Sequence, residues 1–139
     1  IGDARMLIEQ GAGEVDAIIL DAFTSDAIPM HLMTEEALDS YVARLADDGW
    51  LILHVSNRYL DVSSPVAAWG RKRGYQAMVL DNDIEKEGRV SRSVWMAIRP
   101  DGWKAEEKGW KADPRWRPTE GRVSWTDDRS SIMDIIKSL

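Results

Sequence analysis

Val15-Asp16-Ala17-Ile18-Ile19-Leu20, closed by Asp21, is the stretch on which the reading of the fold turns. Its near-continuous apolarity predicts a strand covered on both faces, as in a parallel sheet flanked by helices. A loop containing Pro29 follows, and a helix is expected to start at Thr34. Threonine is a good N-cap, Glu35 and Glu36 suit the positive first turn, and Ala37, Leu38, Tyr41, Val42 and Leu45 share one helical face. This helix is expected to stop before Gly49. The cycle then repeats. Trp50-Leu51-Ile52-Leu53-His54-Val55 reads as a second strand running into the polar Ser56-Asn57-Arg58. Ser64-Pro65 predicts an N-cap followed by proline at the first helical position, opening a helix over 65–73 that closes at Gly74. Further strands are expected over 75–80 and 93–98, separated by a polar stretch over 81–89. A short helix is expected over 130–139, with Ile132, Ile135, Ile136 and Leu139 on one face.

Strands alternating with helices at this spacing predict right-handed crossovers and a parallel sheet, so the class is α/β. Open sheets of this kind place ligands beyond the carboxyl ends of their strands, which points to 21–29, 54–59 and 81–83. The 139 residues, 44% hydrophobic and 30% charged, suit a single domain over 1–139. A chain of this size buries roughly two-thirds of its unfolded surface, so it needs no covalent staples. It has no cysteine, which excludes disulfides, thiolate metal sites and a cysteine nucleophile. With 24 acidic against 18 basic residues and a net charge of −6, it is unsuited to a nucleic-acid backbone and suited to a cationic ligand. No apolar run approaches the roughly 20 residues that cross a bilayer. His31 and His54 lie at no metal-binding spacing, and no metal is expected.

The densest chemistry lies in Asp21-Ala22-Phe23-Thr24-Ser25-Asp26-Ala27-Ile28-Pro29. Two carboxylates facing one cleft suit an amine substrate: one accepts a proton as nitrogen attacks, the other holds a distant ammonium group. The alternative is that Asp21 caps the loop through backbone N–H groups while Asp26 is solvated. Asn57 and Tyr59, just past a strand end, either contact substrate or pack their loop. Trp110, Trp116 and Trp125 either form an aromatic wall for a cation or fasten the proline-containing tail to the body. Asp127 and Asp128 either add to an acidic pocket or serve the first turn of the last helix. Arg71, Lys72 and Arg73 suit a helix C-terminus, and nothing functional is required of them.

The strand closed by Asp21, with Ser25-Asp26 and Pro29 after it and Gly2-Asp3-Ala4-Arg5 before it, resembles the spermidine synthase family of polyamine aminopropyltransferases. The run from Leu20 through Pro29-Met30-His31-Leu32-Met33-Thr34 is similar to bacterial spermidine synthase-like proteins, some of them fused to membrane transporter segments. His54-Val55-Ser56-Asn57-Arg58-Tyr59-Leu60, Asp113-Pro114-Arg115-Trp116 and Trp125-Thr126-Asp127-Asp128 follow in the order that this subgroup shows. The resemblance implies a Rossmann-like, methyltransferase-type sheet that takes decarboxylated S-adenosylmethionine as co-substrate and transfers its aminopropyl group to a diamine. It implies Asp3, beside Ala4, as the contact to adenine, Asp21 as the base, and Asp26 near the amine. Characterised synthases carry Asp-Ser-Ser-Asp-Pro with acids three apart, whereas Asp21 and Asp26 are five apart. In that family the glycine-rich loop and the ribose-binding acid precede the Gly-Asp pair, so the expected sheet lacks its N-terminal strands and that loop. The strand ending at Asp21 then becomes an edge, which predicts a homodimer or a truncated, partly disordered sheet, and these residues alone are expected to bind nucleoside weakly or not at all. The expected location is the cytoplasm, or the cytoplasmic face of a membrane if a transporter segment is attached. Two alternatives stay open: methyl transfer from S-adenosylmethionine itself, and a catalytically silent domain that binds a nucleoside or polyamine.

Overall fold

The computed structural model describes residues 3–21, 29–86, 89–102 and 113–137. Helix α1 (Ala4–Gln10) leads into strand β1 (Val15–Leu20), and a 3-10 turn (Met30–Leu32) leads into helix α2 (Glu35–Val42). Strand β2 (Leu45–His54), helix α3 (Ser63–Arg73), strands β3 (Tyr75–Lys86) and β4 (Arg89–Pro100), the two-residue strand β5 (Arg117–Pro118) and a final 3-10 turn (Ile132–Ile135) complete the order. The sheet runs β1-β2-β4-β3-β5. No helix among the described residues is long and apolar enough to cross a membrane.

The α/β class holds, but the sheet is mixed. β1 and β2 are parallel across the α2 crossover, whereas β4 lies antiparallel between β2 and β3. The reason is chain length. Only residues 87 and 88 separate Lys86 from its partner Arg89, and so short a connection cannot return a strand in parallel. The polar stretch expected as a loop over 81–89 is therefore mostly strand, with Asp81 opposite Val94 and Asp83 opposite Arg92. Asp81 accepts from Arg92 Nε at 2.9 Å across the ladder, and this pairing holds its carboxyl below the ordinary range. It is committed to the hairpin rather than to a crevice.

Thr34 caps α2 as expected, its hydroxyl oxygen accepting from Ala37 N–H. The helix ends at Val42, earlier than its apolar face predicts, because Leu45 already pairs with Val15. Strand pairing overrides helical periodicity there. α3 begins at Ser63 without a side-chain cap, and Ser64 instead accepts the backbone N–H of Arg122 at 2.9 Å. Gly74 closes that helix in the left-handed conformation, φ 75°, which glycine adopts without a steric cost. The expected terminal helix is a single 3-10 turn in which Ile135 is buried while Ile132, Met133 and Ile136 are exposed. Leu139 lies outside the described residues.

The core lies on one face of the sheet. Ile18 and Leu20 of β1, Leu51 and Leu53 of β2, and Met96 and Ile98 of β4 meet Leu38, Tyr41, Val66 and Trp69 of the helices. Trp69 is fully buried, donates its indole N–H to Asp39 at 2.8 Å and stacks on Tyr75. The basic end of α3 clamps α2, with Arg73 on Asp39 and Lys72 on Glu35, which holds both carboxyls below their ordinary range. The opposite face of β1 is open: Ile19 is 63% exposed, so the expectation of a strand covered on both faces fails. Farther across that face, Arg99 lies over the Trp50 ring at 3.8 Å and covers part of it.

Candidate functional site

β1 and β2 are in register through Leu20 and Leu53, so the next residues, Asp21 and His54, stand side by side at the carboxyl edge. Asp21 Oδ1 and His54 Nδ1 are 2.7 Å apart. The imidazole lies 4.7 Å from the Trp95 ring in a stacked arrangement, and its Nε2 is 2.6 Å from Ser56 Oγ. Ser56 Oγ also accepts the backbone N–H of Val94 at 2.7 Å, which ties the group to β4. The Asp21 side chain is 60% exposed and that of His54 only 21%, so a solvent-facing carboxylate is backed by a mostly enclosed ring. Asp21 does not serve as a backbone cap among the described residues. Such a carboxylate can accept a proton from a bound donor while its second oxygen is held still.

Asp3 enters a different group. One oxygen caps α1 through the N–H groups of Arg5 and Met6, and the other lies 2.9 Å from His31 Nε2. The capping bonds and the histidine lower its carboxyl against an opposing desolvation contribution. Arg5 forks onto Asp127 at 2.7 and 2.8 Å, and Thr34 donates to the same carboxylate at 2.7 Å. These contacts hold the Asp127 carboxyl down at about 2. Asp127 thus joins α1, α2 and the tail rather than serving the last helical turn. A cleft of about 300 Å³ beside this corner is lined by Met30, His31, Thr34, Asp127 and Ser130. Ala4, the first residue of α1, is half-buried against the core. The partly exposed Asp3 carboxylate and its exposed histidine partner can exchange this contact for another hydrogen-bond donor.

Asn57 and Tyr59 lie past the end of β2. The Asn57 side-chain oxygen accepts from the N–H groups of Tyr59 and Leu60, each at 2.9 Å, so it builds the turn. Lys137 fastens the same loop through the carbonyls of Asn57 and Tyr59. The Tyr59 ring is 64% exposed and has the Arg58 guanidinium 5.6 Å from its centroid. Asp26 lies outside the described residues, as does Trp110. Trp125 is buried, so it fastens the tail, and Trp116 is half-buried. His54 and Ser56 fall within the 54–59 stretch expected at a strand end, and His54 is hydrogen-bonded as a rim histidine should be, but its contact to Asp21 has no local sequence signal.

No protein-family model matches the chain, and no curated protein matches it. Among solved structures it is similar to a "probable spermidine synthase" from Corynebacterium glutamicum, with a TM-score of 0.54 at 21% identity over 76% of this chain. The chain spans 39% of that structure's length. It is also similar to a precorrin 8w decarboxylase from Methanobacterium thermoautotrophicum, at 13% identity over 70% of this chain and 52% of the other, TM-score 0.49. A third structure, MnmC2 from Aquifex aeolicus, is 24% identical over 82% of this chain and 35% of its own, TM-score 0.44. The last two scores are too low to bear on fold or activity. The first likeness shows the fold alone and agrees with the α/β sheet and crossover helices described above.

Proposed function

We propose that the protein carrying this chain transfers an aminopropyl group from decarboxylated S-adenosylmethionine to a diamine, with Asp21 as the base. The observation that supports this most is the exposed Asp21 carboxylate at the carboxyl end of β1, held through one oxygen by His54. In the reaction an amine nitrogen attacks the aminopropyl carbon next to the sulfonium. The C–N bond forms, the C–S bond breaks, and sulfur keeps the electron pair as a neutral thioether. The leaving group needs no acid. What the step does need is removal of the proton from nitrogen, and Asp21 takes it. Asp3 and Ala4 are assigned to the adenine, Asp26 to the far ammonium group, and Asn57 and Tyr59 to the substrate rim. The reading includes homodimerisation along β1, the edge strand of the described sheet.

A second reading, a catalytically silent domain that binds a nucleoside or polyamine, draws on one observation. Both oxygens of Asp3 already have partners. Calorimetric titration of the protein carrying this chain with methylthioadenosine, on wild type and on Asp3→Ala, separates the two when run beside turnover assays. Binding that Asp3→Ala weakens, together with turnover, supports the transferase. Binding without turnover supports the silent domain. Failure to bind any adenosyl compound removes the assigned nucleoside site.

A further inference from the structure

We propose that His54 is the positioning residue for Asp21: its Nδ1–H holds one carboxylate oxygen, and Ser56 holds the far side of the ring at Nε2. The inference rests on the aminopropyl-transfer reading and deepens it. An ionised carboxylate only accepts hydrogen bonds, so the 2.7 Å contact from Asp21 Oδ1 requires a proton on Nδ1. A neutral imidazole has one N–H, which leaves Nε2 with a lone pair. Ser56 supplies the donor for it. The backbone N–H of Val94 can only donate, so it occupies an oxygen lone pair of Ser56 and leaves the hydroxyl proton available to Nε2 at 2.6 Å. The ionised carboxylate therefore selects the Nδ1–H tautomer, the less common one in free histidine, and the Ser56 hydroxyl is able to complement it. Stacking on Trp95 fixes the plane of the ring, and the Leu20–Leu53 register fixes its distance from Asp21.

The consequence is a carboxylate that cannot rotate freely. Oδ1 is tied, and among the described residues Oδ2 has no hydrogen bond, which leaves it for the amine proton. Holding a base in one orientation is worth rate because misplacement of a reacting group by about 1 Å costs on the order of a hundredfold. His54 does not touch the substrate in this scheme, and it exchanges no proton with it.

In the protein carrying this chain, the imidazole ¹⁵N correlations of His54 are assigned by their loss in His54→Asn. The expected spectrum shows the Nδ1–H form of His54 in the wild type and its loss in Asp21→Ala. An Nε2–H form in the wild type overturns the proposal. The kinetic arm compares His54→Asn, whose amide nitrogen can stand in for Nδ1–H, with His54→Ala. Alanine is expected to lower kcat by roughly ten- to a hundredfold with the diamine KM within about threefold, and asparagine to recover most of the loss. Equal kcat for alanine and wild type overturns the positioning role, as does failure of asparagine to exceed alanine. A wild type with the Nδ1–H tautomer but no aminopropyl product overturns the transferase reading alone. A wild type that turns over with the other tautomer overturns this inference alone.

Discussion

Asp21 follows a strand buried on one face only, and its carboxylate remains 60% exposed, so the change Asp21→Asn removes a base without opening a cavity. Turnover is expected to fall by about 10²–10⁴-fold while thermal stability stays within experimental scatter of the wild type; steady-state kinetics and calorimetry check the two halves. A residue so placed was legible in the sequence, because an acid immediately after an apolar run marks a strand's carboxyl end. Its partner was not, since the contact to His54 depends on which residue of β2 lies beside Leu20, and register is a property of the assembled sheet. The same holds for Asp127, which meets Arg5 across 122 positions of sequence. Its carboxyl is lowered from 3.8 to about 2, so this contact contributes stability above pH 3.8 that is lost as pH falls through about 2. Asp127→Asn is therefore expected to be less stable than wild type at neutral pH, by a modest amount because the pair is partly exposed. The difference should vanish near pH 2 in pH-dependent denaturant melts. A gap that persists there would assign the effect to packing.

The elements most exposed to error were those whose limits are set by partners rather than by local pattern. α2 was found from its cap and acidic first turn, yet it stops at Val42 because β2 begins pairing at Leu45. The β3–β4 hairpin lies where Asp81, Asn82 and Asp83 read locally as loop, and cross-strand pairing overrides that composition. Helix α1 was not foreseen, although Asp3 at its N-cap is a standard start signal. The tail has almost no regular structure, and its attachment depends on close approach to α3. Gly121 shows this directly. A Cβ there would overlap the Ser64 carbonyl and the backbone of Ala68, so only glycine lets the tail lie against that helix. Gly121→Ala is expected to cost about 1–3 kcal/mol, read as a lower unfolding midpoint with unchanged far-ultraviolet helix content. An unchanged midpoint would show that the tail seats elsewhere.

At the scale of the molecule, the sheet buries one face under its helices and leaves Ile19 and Val15 of the edge strand exposed. An apolar edge of this kind favours pairing, so sedimentation at micromolar concentration is expected to give a dimer that Ile19→Lys shifts toward monomer. A monodisperse monomer for the wild type contradicts the self-association included in the proposed function. The α/β class was legible because apolar runs and capped helices alternate along the sequence. The mixed strand directions were not, because the polar stretch over 81–89 reads as a loop and conceals the hairpin that reverses the chain. The central claim, that Asp21 removes a proton from an amine attacking an adenosyl sulfonium, is tested most directly by mass spectrometry. The protein carrying this chain is incubated with decarboxylated S-adenosylmethionine and a panel of diamines. The account predicts methylthioadenosine and an aminopropylated amine in equal amounts, both lost in Asp21→Asn. Neither product with any diamine, from a folded protein, would contradict it.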